Sequence, residues 1–329
     1  MSDAARDLCR GMVAGTVRTR NGTPYKPSVI RKYESALRLE VLPRIGDLPV
    51  GTLRRGDVQR LVDEIAAERT AEHARKALIA LRVVLRLADR DGHIDTDVCR
   101  GVRAPSDPAA ARPARILTPP ELAAIVRAAE VGDRRLSRSF GAPFLALMAF
   151  TGLRVEEALA LPWGPDGVDL EAGCVRVKRA IDRVPVRGVL PFIEPKSRAS
   201  RREVPIGAEL AQRLREHRLA CGRPPDGTLV FTDDGTPLQP SAKPRRAFQR
   251  AVREAGIAEP LPKLHDLRHA YASALLAAGL TVHAVADLLG HASPHLVMAR
   301  YGHAYRDEVR SAAARLETFM ASQTGRGAA

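Results

Sequence analysis

The chain lacks any run of apolar residues long enough to cross a lipid bilayer. Its longest apolar stretch, near residues 142–150, is about half of the roughly 18 residues that a membrane-spanning helix requires. The N-terminus also lacks the apolar segment of a secretory signal. We therefore expect a soluble, cytoplasmic protein with no membrane partner.

Cysteines are few and far apart. No two of them form a Cys-x-x-Cys pair, which argues against a zinc site and a disulfide framework; they are Cys9, Cys99, Cys174 and Cys221. The sequence also has no P-loop, no Gly-x-Gly-x-x-Gly segment and no carboxylate cluster that could hold two magnesium ions. These absences predict reduced thiols and a function without a metal or other cofactor.

Positive charge is what the sequence has in excess. The chain carries 52 Lys and Arg residues against 38 Asp and Glu residues, which gives a formal net charge of +14. Such an excess destabilises a compact fold by self-repulsion unless an anionic partner relieves it. Nucleic acid is the leading partner, and the alternative is a solvated, arginine-rich surface that reflects biased composition.

A length of 329 residues predicts two domains, and composition places their boundary. Residues 1–26 have little periodicity and several turn formers, which predicts an irregular N-terminal arm. Residues 27–103 carry apolar positions at helical spacing. Residues 104–115 are rich in Pro and Ala and have no large apolar residue, as a linker should. The second domain then covers residues 116–329.

Three helices are predicted in residues 27–103. The first runs from Pro27 to Pro43, the second begins at Asp57, and the third extends from about Ala71 to Ala88. One face of the third helix is apolar, whereas another face carries Arg75, Arg82 and Arg86. We predict that these arginines follow DNA phosphates. The alternative is an ordinary amphipathic helix whose arginines face water.

The second domain is predicted to be mainly α with a small β-sheet. A helix starts at Thr118, with Glu121 three residues later as in a capping box. Strands are expected at residues 174–177, 189–193 and 202–206. Helices resume from Ala208 and continue to the end of the chain.

Four segments of this domain hold the residue types that phosphoryl transfer requires: residues 151–161, 194–202, 265–269 and 289–303. When an oxygen nucleophile attacks a phosphodiester, charge grows on the non-bridging oxygens, and a planar guanidinium can hold two of them. Arg154 and Arg268 are the candidates. His265 lies three residues before Arg268, so one helix face would present both to a single phosphate.

Taken in order, these segments resemble the tyrosine recombinase (phage integrase) family, from about Ile116 to Tyr301. Residues 28–33, 42–48 and 57–59 are similar to the family's helical core-binding domain. The resemblance implies a SAM-like core-binding domain followed by a catalytic domain. It also implies a site-specific recombinase that cleaves and rejoins DNA through a covalent 3′-phosphotyrosyl intermediate, with no cofactor.

The resemblance carries over six catalytic positions, namely Arg154, Lys196, His265, Arg268, His291 and Tyr301. Tyrosine with a pKa near 10 is a poor nucleophile, so we expect His265 to accept the proton of Tyr301. Lys196 is then the general acid for the leaving 5′-oxygen.

His291 is expected to donate a hydrogen bond to a non-bridging oxygen. Glu157 is interpreted as orienting a neighbouring basic side chain rather than reacting. His269 is interpreted as structural.

The spacing departs from the family pattern at one point. Tyr301 lies ten residues after His291, where family members usually show nine. Tyr305, four residues further on the same helical face, is the alternative nucleophile.

The implied partners are double-stranded DNA and other copies of the chain. We expect Arg198, Arg201 and Arg202 to join the first domain's arginines in binding DNA. A C-terminal amphipathic helix through Leu316 and Met320 either folds back on its own domain or, as in the family, docks on a neighbouring protomer. The resemblance implies a homo-tetramer on two DNA sites, a directionality protein or host DNA-bending protein as accessory partner, and a location at the bacterial or phage nucleoid.

Three other functions compete with this interpretation. A type IB topoisomerase shares the chemistry, but the core-binding half and the Leu-Gly-His segment favour a recombinase. A regulator that binds DNA without cutting it would lack catalytic positions, and all six are present. A metal site built from His265, His269, His291 and His303 would lack cysteine and carboxylate ligands.

Overall fold

The computed structural model describes residues 1–94, 97–106, 115–131, 140–182, 192–193, 200–233, 236–237, 243–291, 293–295, 297–298, 316–317 and 320. The chain divides into two compact units, Met1–Pro113 and Ala114–Ala329. The division falls within the segment 104–115 that its composition marks as a linker.

The first unit is built from helices around one apolar core. Its elements are α1 (Ser2–Ala14), α2 (Pro27–Ala36), a π-helical turn (Leu37–Val41), α3 (Leu42–Ile45), a 3₁₀ turn (Val50–Thr52), α4 (Arg55–Glu68) and α5 (Ala71–Arg90). Helix α5 packs against α1, α2, α4 and the π-helical turn. Leu81 and Val84, in the middle of α5, are completely buried, so this helix forms the centre of the unit.

The prediction that residues 1–26 form an irregular arm is wrong for α1. Ala5, Leu8 and Met12 of this helix are buried in the core of the first unit. A helix this short is marginal alone and is stabilised by packing on its neighbours, here α2 and α5. Ala5, Leu8 and Met12 are spaced three and four residues apart, so the sequence does carry a helical pattern here.

The predicted helices of the first unit are present with shifted bounds. The stretch from Pro27 continues into the π-helical turn, where the buried Glu40 lies 3.5 Å from the guanidinium of Arg69. The helix expected at Asp57 begins two residues earlier, because the Asp57 carboxylate accepts the backbone N–H of Arg54 at 2.9 Å and caps the first turn.

The second unit contains one almost completely buried helix. The elements are α6 (Pro119–Val131), α7 (Ala142–Thr151), α8 (Val155–Leu159), α9 (Ala208–Ala220), α10 (Lys243–Glu254), α11 (Asp266–Ala277) and α12 (Val282–Leu289). Helix α7 is buried along nearly its whole length and contacts α6, α9 and α11. The predicted capping box is confirmed, since the Thr118 backbone N–H donates to Glu121 at 2.9 Å and the Glu121 N–H donates to the Thr118 hydroxyl.

Short antiparallel strands complete the second unit. A three-stranded sheet has the order β1 (Val168–Asp169), β2 (Cys174–Val177), β5 (Arg202–Pro205). Two pairs stand apart from it, β3 (Ala180–Ile181) with β4 (Phe192–Ile193) and β6 (Thr232–Asp233) with β7 (Thr236–Pro237). The mainly α fold with a small sheet is thus confirmed. Of the strand expected at 189–193, the structure describes the last two residues, which form β4.

The structure bears on the state of the cysteines and on membrane-spanning helices. All four cysteines lie in described segments, and none of them forms a disulfide. Within the described ranges, no helix combines the length and the apolar character needed to cross a bilayer.

Gly152 ends α7 in a conformation that suits glycine alone. Its φ is +60°, in the left-handed region. A Cβ at this position would lie 2.4 Å from Cδ1 of Tyr271 and 3.1 Å from Cδ2 of Leu289. The turn that leads to Arg154 therefore packs directly against α11 and α12.

We predict that Gly152→Ala destabilises the second unit far more than Gly256→Ala. Gly256 has φ +66°, and a Cβ added there would meet no atom within 4 Å, so alanine adds only left-handed strain of about 1 kcal/mol. At Gly152 the clash with Tyr271 adds roughly 1–3 kcal/mol. Urea unfolding followed by fluorescence of Trp163, the single tryptophan, measures both. Equal losses would contradict the close packing.

Candidate active site

The described catalytic candidates lie where four segments of the second unit meet. These segments are the turn between α7 and α8, the start of β5, the start of α11 and the end of α12. Hydrogen bonds from arginine side chains of one segment to acceptors of another connect all four. Residues far apart in the sequence therefore share one small region.

Arg154 is tethered at the start of α8 and still reaches solvent. Its Nη1 donates to Oε1 of Glu157 at 2.7 Å, and its backbone N–H donates to Oε2 of the same carboxylate at 2.9 Å. The side chain is 36% exposed. An oriented guanidinium with an accessible edge is suited to binding a phosphate.

Glu157 is a buried carboxylate whose acceptor sites are filled. Besides the two bonds from Arg154, it accepts Nη2 of Arg202 on Oε2 at 2.8 Å and Nη1 of Arg202 on Oε1 at 3.3 Å. An ionised carboxylate offers about four lone-pair sites, and these four contacts occupy them. The carboxylate therefore links two arginines.

The pKa of Glu157 is lowered to about 2. Burial opposes the charged form, but the hydrogen bonds and charge of Arg202, together with Arg154, outweigh it. A carboxylate that stays ionised and saturated is a poor acid or base at neutral pH. The contacts thus support the interpretation that Glu157 orients a basic side chain.

The side chain of Arg202, a predicted DNA contact, lies inside the second unit. Its side chain is 5% exposed. In addition to the Glu157 contacts, its Nε donates to the carbonyl of Leu288 at 2.6 Å and its Nη1 donates to the carbonyl of Ser200 at 3.2 Å. The sheet position of β5 directs this arginine inward, whereas its neighbour Arg201 is exposed and stays a predicted DNA contact.

Arg268 is buried and bridges two backbone segments. The residue is 2% exposed. Its Nη1 donates to the carbonyl of Gly152 at 2.6 Å and its Nη2 donates to the carbonyl of Leu289 at 2.5 Å. This arginine therefore fixes the end of α7 relative to the end of α12.

His265 and His269 differ in their surroundings. His265 precedes α11 and is exposed, while His269 is 5% exposed. Their ring centroids are 4.9 Å apart with the ring planes at 87°. The exposed ring is the one that a substrate can reach, which agrees with a structural role for His269.

The backbone of His291 is fixed by the way α12 ends. Gly290 adopts φ +66°, its N–H donates to the carbonyl of Asp287 at 3.0 Å, and the N–H of His291 donates to the carbonyl of Ala286 at 2.9 Å. This pair of bonds is a Schellman motif. It sets the direction in which the chain, and with it the half-buried His291, leaves the helix.

Two carbonyls of the last turn of α12 are left for other donors. They belong to Leu288 and Leu289, and they accept from Arg202 and Arg268, respectively. Helix ends leave such carbonyls without intrahelical partners, and cations are favourable there. Two arginines from different elements therefore cap the helix that leads to His291.

Several predicted site residues fall outside the described residues. These are Lys196, Arg198, Tyr301, His303 and Tyr305. Among the residues that the structure does describe, no group of three or more His, Cys, Asp or Glu side chains is arranged to hold a metal ion.

The three arginines predicted on α5 have different environments. Arg75 is exposed and lies 2.9 Å from Glu72, whereas Arg82 donates to the carbonyl of Val102 at 2.9 Å. A cleft of about 280 Å³ is lined by Arg20, Arg82, Arg86, Asp97, Cys99, Arg100 and Gly101. Sequence reasoning missed Arg20 and Arg100, because only folding brings their segments to α5.

Comparison with known proteins identifies the family. The model described as "Phage integrase family" matches residues 115–308, and "Phage integrase central domain" matches residues 12–105. Tyrosine recombinase XerD of Mycobacterium leprae is 30% identical over 289 residues, which cover 82% of this chain and 82% of that protein. Tyrosine recombinase XerC of Azotobacter vinelandii is 31% identical over 245 residues, 73% of each. The chain belongs to the phage integrase, or tyrosine recombinase, family.

Solved structures show the same fold. A lambda integrase dimer bound to a COC′ core site aligns with a TM-score of 0.66 at 21% identity and covers 91% of this chain and 94% of that one. The Tn1549 transposon integrase in complex with transposon right end DNA aligns with a TM-score of 0.71 at 20% identity and covers 94% and 99%, respectively.

We predict that Glu157 makes stability pH-dependent in acid. Because folding lowers its pKa from 4.5 to about 2, its contribution is present above pH 4.5 and is lost as the pH falls toward 2. The difference in free energy of unfolding between wild type and Glu157→Gln should narrow by about 2 kcal/mol between roughly pH 5 and pH 3. Urea unfolding followed by Trp163 fluorescence measures it.

The control for this experiment is Glu171→Gln, which changes an exposed carboxylate in the turn before β2. This variant should keep the pH dependence of the wild type. A wild-type minus Glu157→Gln difference that stays constant from pH 5 to pH 3 would contradict the assignment.

Proposed function

We propose that the chain is a site-specific DNA recombinase that cuts and rejoins strands through a covalent 3′-phosphotyrosyl intermediate, with Tyr301 as nucleophile. One observation carries the proposal. Arg154, His265, Arg268 and His291 lie on segments that hydrogen bonds join directly. Family membership supports the same reaction.

The proposed reaction is a transesterification. The Tyr301 oxygen attacks phosphorus and forms the phosphotyrosyl bond, the bond from phosphorus to the 5′-oxygen breaks, and no net bond is lost. His265 takes the phenol proton, and Lys196 gives a proton to the departing 5′-oxygen. Attack by another strand's 5′-hydroxyl reverses these steps and joins that strand.

Charge on the non-bridging oxygens is met by groups that the fold has already oriented. Arg154 is held by Glu157, and Arg268 is held by two carbonyls. His291 adds a hydrogen bond from the end of α12. Donors fixed before the reaction stabilise the transition state without reorganisation.

We propose that the active assembly is a homo-tetramer on two double-stranded DNA sites. Structures of lambda integrase include a dimer on a core site and a tetramer on a Holliday junction. A directionality protein or a host DNA-bending protein is proposed as a further partner, and the bacterial or phage nucleoid as the site of action. In the first unit, the cleft with Arg82 and Arg86 and the exposed Arg75 are proposed to contact phosphates.

We predict that Tyr301→Phe abolishes the covalent protein–DNA adduct on a nicked suicide substrate. The substitution removes the attacking oxygen, and the DNA contacts remain. Denaturing gel electrophoresis measures the adduct, and fluorescence anisotropy measures DNA affinity, which should stay within about twofold of wild type.

Tyr305→Phe is the matched control and should keep the adduct. An adduct that persists in Tyr301→Phe and disappears in Tyr305→Phe would move the nucleophile to Tyr305.

A separate assay distinguishes a recombinase from a type IB topoisomerase. A recombinase joins two DNA sites and does not relax a single supercoiled plasmid at a comparable rate.

We predict that DNA affinity falls steeply with salt, because lysines and arginines displace counterions from phosphates. For six or more phosphate contacts, affinity should drop roughly 10³-fold between about 50 and 200 mM salt. Arg86→Gln should reduce the slope of log K against log salt by about 0.9. Arg6→Gln, on the exposed face of α1, is the control and should leave the slope unchanged. A flat salt response would contradict the electrostatic part of the proposal.

A further inference from the structure

We propose that Arg202 is a positioning residue that holds the Arg154–Glu157 pair and the end of α12 in a fixed relation around the scissile phosphate. This inference rests on the proposed recombinase function and concerns a side chain that is 5% exposed. Its guanidinium contacts Glu157 and Leu288, which lie 45 and 86 residues away in the sequence.

The planar shape of the guanidinium makes both contacts at once. Two nitrogens face the Glu157 carboxylate, with Nη2 2.8 Å from Oε2 and Nη1 3.3 Å from Oε1. The third nitrogen, Nε, lies 2.6 Å from the carbonyl of Leu288. A lysine has a single nitrogen on a flexible stem and cannot reproduce this fork.

The Leu288 contact matters for His291. The Schellman motif satisfies the carbonyls of Ala286 and Asp287, and the next carbonyl is the one that Arg202 binds. Since His291 follows two residues after the helix ends, a shift of this last turn moves its imidazole.

Arg202 and Arg268 connect the same two stretches of chain. Arg268 joins Gly152 to Leu289, and Arg202 joins Glu157 to Leu288. Two connections restrict rotation of one stretch about the other, whereas a single connection would leave it possible. Arg154 lies on the first stretch, so its distance to His291 depends on both arginines.

Arg202 also begins β5, immediately downstream of the segment 194–199 that contains the proposed general acid Lys196. Its side chain and the Glu157 side chain are 5% and 4% exposed. Buried ion pairs are weak sources of net stability compared with apolar packing. The Arg202–Glu157 pair instead fixes the orientation of both side chains, because two parallel hydrogen bonds join the guanidinium to the carboxylate.

The test is Arg202→Lys in the full chain, assayed on a nicked suicide substrate in single turnover. We expect the rate constant of adduct formation to fall roughly 10- to 100-fold, as small misplacements of catalytic groups do, with DNA affinity within about twofold of wild type. Arg176→Lys is the matched control, since Arg176, like Arg202, lies on a strand and forms ion pairs, in its case with Asp169 and Glu203; this variant should cleave at the wild-type rate.

A substrate with a 5′-bridging sulfur in place of oxygen distinguishes the groups that Arg202 positions. Its leaving group needs no general acid, so a defect confined to Lys196 would disappear on this substrate. We expect the Arg202→Lys defect to persist, because Arg154 and His291 are the displaced groups. Full recovery on this substrate would overturn the inference.

If Trp163 fluorescence shows that Arg202→Lys is unfolded, Glu157→Asp provides a second test of the inference. This substitution keeps the charge and shortens the reach, so it should also slow cleavage at unchanged DNA affinity. Wild-type rates in Arg202→Lys or, where that variant unfolds, in Glu157→Asp would overturn the positioning role alone. Absence of an adduct in the wild type would instead overturn the proposed function and the inference with it.

Discussion

The candidate site depends on two carbonyls at the end of a helix that have no partner within it. The carbonyls of Leu288 and Leu289 are bound by two buried arginines, Arg202 and Arg268, which come from a strand and from another helix. Because leaving a buried carbonyl unbonded costs about 1–3 kcal/mol, each of the two arginines stabilises the helix end. The hydrogen bonds that pair these two carbonyls are therefore the same ones that bring the segments of the candidate site together.

The same contacts stabilise three neighbouring arginines, Arg154, Arg202 and Arg268, in the protein without DNA. A buried arginine needs an acceptor or a counter-charge, and here carbonyls and Glu157 provide them. Arg154 is left with an accessible edge while its other side is held. In a chain with a net charge of +14, the Glu157 carboxylate thus holds Arg154 and Arg202 close to each other.

The family resemblance supplied the candidate residues, and local sequence signals identified some features of the fold around them. The capping box at Thr118, the spacing of His265 and Arg268, and the glycine before His291 each involve neighbours in the chain, so the sequence shows them directly. The role of Arg202 could not be seen in this way. It lies in a basic stretch beside Lys196, where an inward-facing arginine and a DNA-contacting one look the same, and its partners are 45 and 86 residues distant.

Helix α1 was missed for a related reason. Its stability comes from contacts of Ala5, Leu8 and Met12 with helices further along the chain, because a helix this short is marginal on its own. The cleft on α5 likewise combines Arg20 and Arg100 with the predicted Arg82 and Arg86. Where function depends on long-range packing, residue types alone do not identify it.

The most direct test of the account is a structure of the chain trapped covalently on its DNA. We expect the phosphorus atom to be bonded to Tyr301, with Arg154, Arg268 and His291 around its oxygens and Arg202 still bound to Glu157 and Leu288. A structure in which Tyr301 and Tyr305 both lie far from Arg154 and Arg268, in every protomer and with no neighbouring copy supplying either tyrosine, would contradict it.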